Sequence, residues 1–232
     1  MGKLEKQVLG KIRGKVGDVM FRITNGQAIV SACPTKRALS NEPGAVKRRN
    51  HFSIAVKFAH AVNYLSPLKH FWKSIIISSN AGFRSALNKI VKENYSRVSD
   101  SDVLSTAMLV PDIGFQIHPT NTTLSNSEIS VTLGVIGNDK GIDTGVETQL
   151  QLASVVFLKT PVGDSSKPVA FLHRLSAAIP VNLATPVTFT IPLDNIESQI
   201  FDAYSSSKGL FAIVTLDADN VPVRYSNTFQ SV

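Results

Sequence analysis

The spacing of apolar residues changes near residue 100, and this change constrains the fold more than any other feature of the chain. From Val46 to Leu65, apolar residues recur every three or four positions, as they do on one face of an α-helix. In Glu128–Ile136 they recur at every second position, which is the period of a β-strand with one buried face. The sequence therefore predicts helices first and strands afterwards.

A β-hairpin is predicted before the first helix. The runs Val16–Ile23 and Gln27–Cys33 are rich in β-branched and apolar residues, and Asn25-Gly26 between them supplies the positive φ angles of a type I′ turn. Pro34 then ends the pairing because it has no N–H to donate. The glycines at positions 10, 14 and 17 match no nucleotide-binding loop, and we interpret them as tight turns that lead into the hairpin.

Two helices are predicted between the hairpin and residue 100. The first begins near Pro43, after a capping Ser40 or Asn41, and Pro67 ends or kinks it. The second is expected over Ala81–Tyr95. The apolar positions of the first helix form two adjoining sets, which are Phe52, Val56, Ala59 and Val62, and Ile54, Phe58, Ala61 and Leu65.

Seven or more short strands separated by turns are predicted after residue 100, with a helical crossover at Asn195–Tyr204. The predicted fold class is α+β: residues 1–100 form a β-hairpin plus a two-helix module, and residues 101–232 form an immunoglobulin-like antiparallel β-sandwich. The boundary is expected near Val98–Asp102. The candidate strands are Val103–Val110, Phe115–His118, Glu128–Ile136, Leu150–Lys159, Val169–Ile179, Val187–Ile191, Leu210–Leu216 and Val221–Phe229.

Charge is divided at the same place. Residues 1–100 hold 18 Lys and Arg against 5 Asp and Glu, a net charge of +13, whereas residues 101–232 hold 6 against 12, a net charge of −6. Such asymmetry indicates a basic region that meets a polyanion or an acidic surface. The acidic half of a neighbouring copy is one such surface.

Eight basic residues are the candidate binding residues. Lys and Arg neutralise phosphates and release counterions, which gives affinity for nucleic acid of any sequence. The same side chains on a solvated face would also bind an acidic protein surface, so both alternatives stay open. The candidates are Arg13, Lys15, Arg22, Lys36, Arg37, Lys47, Arg48 and Arg49. Phe71 and Trp72 could stack on bases, but they flank an apolar run and are predicted to pack in the core.

No sequence motif indicates catalysis or metal binding. His51, His60 and His70 are too far apart to share one helical face, and neither a Gly-x-Ser-x-Gly nor a His-Glu-x-x-His motif occurs. Cys33 is alone in the chain, so it forms no internal disulfide. Asp217-Ala-Asp-Asn220 lacks the Gly and the distal Glu of an EF-hand loop and is interpreted as a turn. We expect no catalytic residues, no metal and no cofactor, and no small-molecule substrate is identified.

The N-terminal residues contain no continuous apolar stretch of the signal-peptide type, and runs such as Ala153–Leu158 are too short to cross a bilayer. We therefore expect a protein without a membrane span that is made in the cytoplasm. Release within a particle or a filament is compatible with this expectation.

The stretch from Gly10 to Val30, with Gly14-Lys-Val-Gly17, then Pro34 and Arg49-Asn-His-Phe52, resembles a bacterial domain-of-unknown-function family. In that family a Gly-Lys-x-Gly hairpin and a Pro-containing basic linker precede an Arg-x-x-Phe helix. The segments that begin at Val103 and at Asp217 are similar to the rest of the family. The resemblance implies a non-enzymatic protein, such as a component of a phage-derived particle or a filament, and it transfers no catalytic residue.

These patterns favour a non-catalytic structural or assembly protein that forms homo-oligomers, with the arm Met1–Leu9 reaching a neighbour. The alternative is a nucleic-acid-binding accessory protein that uses the basic N-terminal residues.

Overall fold

A computed structural model of the chain describes residues 2–3, 13–24, 27–33, 39–78, 85–163 and 167–231. They belong to two units, residues 1–42 and residues 43–232. The predicted boundary lies near residue 100. The structural division lies closer to the N-terminus, between residues 42 and 43. The reason is that the helices after residue 43 share an apolar cluster with strands that follow residue 150.

The N-terminal unit is a four-stranded antiparallel sheet in the order β1-β4-β3-β2. Thr24 pairs with Gln27, so two residues separate β3 from β4, which confirms the predicted hairpin; Asn25 and Gly26 lie outside the described residues. Gly17 adopts a φ of 57°, as a tight turn requires. The strands are β1 (Gly2–Lys3), β2 (Gly14–Val16), β3 (Val19–Thr24) and β4 (Gln27–Ala32).

Part of the predicted N-terminal arm binds within its own unit. Gly2 pairs with Val30 and Lys3 with Ile29 of β4. Residues 4–9 of the arm lie outside the described residues.

The described parts of residues 43–94 form three helices, rather than the predicted two: α1 (Pro43–Tyr64), α2 (Ser66–Ser78) and α3 (Ala86–Asn94). The predicted start at Pro43 and the break before Pro67 are confirmed. The helix α2 was not predicted. The hydroxyl of Ser85 accepts a hydrogen bond from the N–H of Asn88 (3.2 Å) and caps α3, which begins later than the sequence indicated.

Two antiparallel sheets follow the helices. The first joins β12-β11-β7-β8, with β13 also paired to β11 and β9 to β7, and the second has the order β10-β6-β5. A short helix, α4 (Asn195–Asp202), confirms the predicted crossover. The strands are β5 (Pro119–Leu124), β6 (Glu128–Leu133), β7 (Gln149–Pro161), β8 (Val169–Leu175), β9 (Ile179–Pro180), β10 (Val187–Pro192), β11 (Tyr204–Leu216), β12 (Pro222–Tyr225) and β13 (Phe229–Gln230).

The second unit has three layers, with β7 and β11 in the middle one. Phe157 on one face of β7 belongs to the same apolar cluster as Trp72 of α2. Val156 on the other face belongs to a second cluster with Val131 of β6 and Phe189 of β10. Helices therefore cover one face of the large sheet, and the three-stranded sheet covers the other. The predicted α+β class is confirmed.

Two predicted strands are wrong. In Val103–Val110, only Val103 forms a bridge, with Val98. Several other backbone groups of this segment bond to side chains rather than to a neighbouring strand: the indole of Trp72 donates to the carbonyl of Leu109 (2.8 Å), and the N–H of Met108 donates to Asn94 (2.7 Å). In Phe115–His118 only Phe115 forms a bridge, and a strand begins at Pro119 instead.

Candidate interaction surface

Helix α1 buries one face and exposes the other. Ile54, Phe58 and Leu65 are buried in the core. Away from the core, Phe52 is 56% exposed. Tyr64 is 76% exposed and lies at the border between α1 and β8, where its ring contacts that of His173. Phe52 was predicted to lie on the apolar face, and the structure places it in solvent. Large exposed apolar side chains on one face are typical of an interaction surface.

Exposed basic side chains are numerous on α1 and α2. Lys47 and Arg48 lie exposed in the first turns of α1, and Arg49 beside them is half-buried. Neither α1 nor α2 contains an acidic residue. Five basic residues of these helices are exposed and form no ion pair with any residue that the structure describes. They are Lys47, Arg48, Lys57, Lys69 and Lys73.

Three further candidates lie in the N-terminal unit. Arg13 precedes β2, Lys15 lies in β2 and Arg22 in β3, and all three are exposed. Lys15 pairs with Met20, two residues before Arg22, so Lys15 and Arg22 share a face of that sheet. Lys36 and Arg37 lie outside the described residues. The structure thus forms two groups of candidates, one in each unit.

The basic residues that follow residue 100, in contrast, are largely paired. Arg174 contacts Asp194 (2.9 Å) and Glu197 (2.5 Å), and Arg224 lies 3.6 Å from the buried Glu147. Lys140 is paired with Asp139. Several exposed carboxylates have no ion-pair partner among the residues that the structure describes, namely Glu128, Asp143, Asp202 and Asp219.

A polar cleft of about 350 Å³ lies between α1 and the adjoining ends of β7 and β8. Asp102 in this cleft accepts hydrogen bonds from the ammonium groups of Lys159 (2.8 Å) and Lys208 (3.1 Å). Burial alone would raise the pKa of Asp102, but the two lysines outweigh it and hold the pKa below its ordinary value. Both carboxylate oxygens are occupied, so this side chain is an anchor between elements rather than a proton acceptor.

Among the described residues, no group of three or more His, Cys, Asp and Glu side chains is placed to hold a metal ion. Cys33 is half-buried and forms no disulfide. The helices within the described ranges are too short or too polar to cross a membrane. Trp72 is buried, as predicted, and is not available for stacking on bases.

The fold and this surface define an α+β protein in which basic helices cover a two-sheet sandwich.

No family model and no curated protein matches the chain. Among solved structures, the chain is similar to MtrC from Shewanella baltica OS185, with 10% identity, a TM-score of 0.29, and 50% of this chain and 21% of that chain covered. It is also similar to the third fibronectin III domain of the human KIAA0343 protein, with 10% identity, a TM-score of 0.24 and coverages of 51% and 82%. A β-glucosidase from Kluyveromyces marxianus gives 11% identity, a TM-score of 0.21 and coverages of 62% and 17%. Similarity at this level supports no conclusion about function.

Sequence reasoning missed the aromatic part of the surface. A stripe of residues spaced by four winds along α1 from its exposed side to the border with β8, because each step of four residues turns about 40° around the helix. Its members are Arg48, Phe52, Val56, His60 and Tyr64. Arg48 and His60 within this stripe indicate that it is exposed, and this pattern in the sequence could have identified the surface. The apolar residues in it were instead assigned to the core.

Proposed function

We propose that this chain is a non-catalytic structural protein that self-associates as a building block of a filament, a phage-derived particle or another multi-subunit assembly. The observation that carries the proposal is the exposed surface of α1, where Phe52 lies beside Arg48 and Lys57 and Tyr64 lies beside Lys57. Aromatic residues and Arg are enriched at protein interfaces. The acidic partner surface is supplied by the exposed carboxylates of a second copy that form no ion pair with a described residue, such as Glu128 and Asp219.

Light scattering of the purified chain, freed of nucleic acid, tests this proposal at low and at high salt. We expect assemblies at low salt that shrink as salt screens the charges. Phe52→Gln and Arg48→Glu should each weaken association about tenfold, while Lys92→Glu, an equal charge change on an exposed position of α3, should not. A protein that stays monomeric at high concentration and low salt contradicts the proposal.

Nucleic-acid binding is the second candidate function. The observation that favours it is again the stripe on α1, because exposed aromatic rings beside Lys and Arg are the elements of single-strand binding. In this alternative, Lys47, Arg48 and Arg49 contact phosphates.

Binding of a labelled oligothymidylate, followed by fluorescence anisotropy across a salt series, distinguishes the two candidates. The alternative requires affinity that falls steeply with salt, and a slope that flattens when Lys47, Arg48 and Arg49 are all replaced by Ala. Tyr64→Ala should weaken binding by about 1–3 kcal/mol if a base stacks on that ring. A protein that assembles and does not bind the oligonucleotide favours self-association.

A further inference from the structure

A groove of about 760 Å³ runs along β8, the last strand of the larger sheet. Helix α1 lines one side with His60 and Tyr64, and Tyr204 at the start of β11 lies on the other side. Phe171 and His173 of β8 lie between them. The groove therefore follows the edge of a sheet.

Strand β8 pairs with β7 on one side, and its backbone groups on the other side are unpaired among the described residues. The N–H of Ser176, which follows β8, donates to the carbonyl of Leu152 in β7 (2.9 Å). Backbone groups of an antiparallel strand alternate in direction, and Leu172 is paired with Val156, so Leu172 also turns its backbone toward β7. The N–H and C=O groups of Phe171 and His173 consequently point outward, and no described residue bonds to them.

The chemistry of the groove is cationic and aromatic. Its charged lining residues are Lys57 and Lys167, and neither forms an ion pair with a described residue. Among the residues that the structure describes, no Asp or Glu lines it. The Nδ1 atom of His173 is buried without a hydrogen-bond partner among the described residues. Unpaired backbone groups, apolar surface and unpaired positive charge thus meet in one place.

We propose that this groove binds an extended segment from a second copy of the chain, which adds to β8 as a further strand. Strand addition to a free edge gives affinity through backbone hydrogen bonds. Charge complementarity favours a second copy, because exposed carboxylates that lie outside the described strands, such as Asp143 and Asp219, have no ion-pair partner among the described residues. The inference rests on the self-association proposed above and names a site for it.

A proline scan of sheet edges tests the inference in the full chain. His173→Pro removes an outward N–H, and an edge strand tolerates proline at such a position. His173→Ala removes the same imidazole and keeps the N–H. Thr190→Pro is the matched control on β10, an edge of the smaller sheet: Leu193 donates to Ser127, so the alternation turns the N–H of Thr190 outward as well.

The measurement is the association constant from sedimentation or light scattering, with circular dichroism and the emission of Trp72 as checks of folding. We expect His173→Pro to weaken association about tenfold or more relative to both His173→Ala and Thr190→Pro. If the unsubstituted chain associates and His173→Pro does so with an unchanged constant, the groove is not the site, while self-association stands. If the unsubstituted chain is monomeric, self-association itself is refuted.

A surface substitution covers the case in which His173→Pro does not fold. Lys167 is exposed, so Lys167→Glu leaves the core intact. We expect it to weaken association several-fold at low salt and to lose this effect at high salt. Unchanged association at low salt would overturn the assignment of the groove.

Discussion

The environment of His173 makes the stability of the fold sensitive to pH. Its ring lies against Tyr64 of α1, with the centroids 4.5 Å apart. Burial lowers the pKa of His173, and the charge of Arg174 lowers it further, although Glu197 opposes both. The folded chain therefore favours the neutral imidazole.

The free energy of unfolding should fall as the pH drops below about 6.5. The unfolded chain binds a proton at His173 near that pH, whereas the folded chain binds it only at a lower pH, so stability is complete above about pH 6.5 and decreases below it. The decrease is at most about 1.4 kcal/mol per pH unit. Urea unfolding from about pH 7 to about pH 5 measures it. His173→Gln should flatten this dependence and His118→Gln, at an exposed position, should not; equal slopes in both variants would contradict the prediction.

Gly114 is a position where the backbone forbids a side chain. Its φ is +56°, and a Cβ atom there would lie 2.3 Å from the carbonyl oxygen of Tyr225. Gly114→Ala should therefore lower the free energy of unfolding by about 2–4 kcal/mol in chemical denaturation. Gly134→Ala is the control, because its Cβ would meet only Thr120, at 3.4 Å. A similar small effect of both substitutions would argue against this close approach.

Single residues were predictable where pattern and chemistry agree. Trp72 lies in an apolar run and is buried, and the turn at Asp217 is held by its carboxylate, which accepts from the N–H groups of Asp219 (2.9 Å) and Val221 (2.8 Å). Phe52 fits the helical spacing equally well and is exposed. Spacing defines a face, but only the neighbouring elements decide which part of that face is covered.

At the scale of elements, α2 was not predicted because a proline such as Pro67 is compatible with either the end of one helix or the start of the next. A proline ends a preceding helix, and it also fits the first turn of a new one, where its missing N–H has no partner to lose. Here Pro67 is the second residue of α2 and does both. The apolar residues Leu68, Phe71 and Ile76 repeat at helical spacing and are buried, so the signal for α2 was present in the sequence.

Asp102 connects the segment after α3 to the middle strands of the sheet. Its carboxylate binds Lys159 of β7 and Lys208 of β11. Asp102→Asn should lower the free energy of unfolding by about 1–2 kcal/mol at neutral pH, because it removes both ion pairs from a partly buried site. Thermal or urea denaturation measures this loss.

Lys159 and Lys208 also determine how the loss of stability in Asp102→Asn depends on pH, because they lower the pKa of Asp102. Because the pKa of Asp102 lies below its unfolded value, the contribution is present above about pH 4 and disappears as the pH falls through the folded value. The difference between Asp102→Asn and the parent chain should therefore shrink in acid. Asp139→Asn, which breaks the exposed pair with Lys140, should cost little at any pH. A difference for Asp102→Asn that persists at low pH would show that packing, not charge, is responsible.

At the scale of the whole molecule, the sequence predicted the order of helices and strands but not the layers. The central parts of β7 and β11, such as Val155–Leu158 and Leu210–Val214, are buried on both faces, so their sequences are continuously apolar and contain no alternation that reveals which face meets the helices. The change in charge and period at residue 100 separates the helices from the sheets, and we expect the folding unit to extend across it because the two share an apolar cluster. Similarly, sequence identified Arg48 as a candidate for the surface, whereas the groove beside β8 depends on long-range pairing that no local pattern shows.

Two fragments test where the folding unit begins. Residues 43–232 retain all three layers, so this fragment should remain soluble, unfold cooperatively and keep the emission of buried Trp72. Residues 101–232 lack the helices, which leaves Val155, Phe157 and Val214 of the middle layer without cover. That exposed apolar surface should cause aggregation or binding of a hydrophobic dye. If residues 101–232 instead form a monomer that unfolds cooperatively, the charge boundary is also a folding boundary, and the helices are an addition to a self-sufficient sandwich.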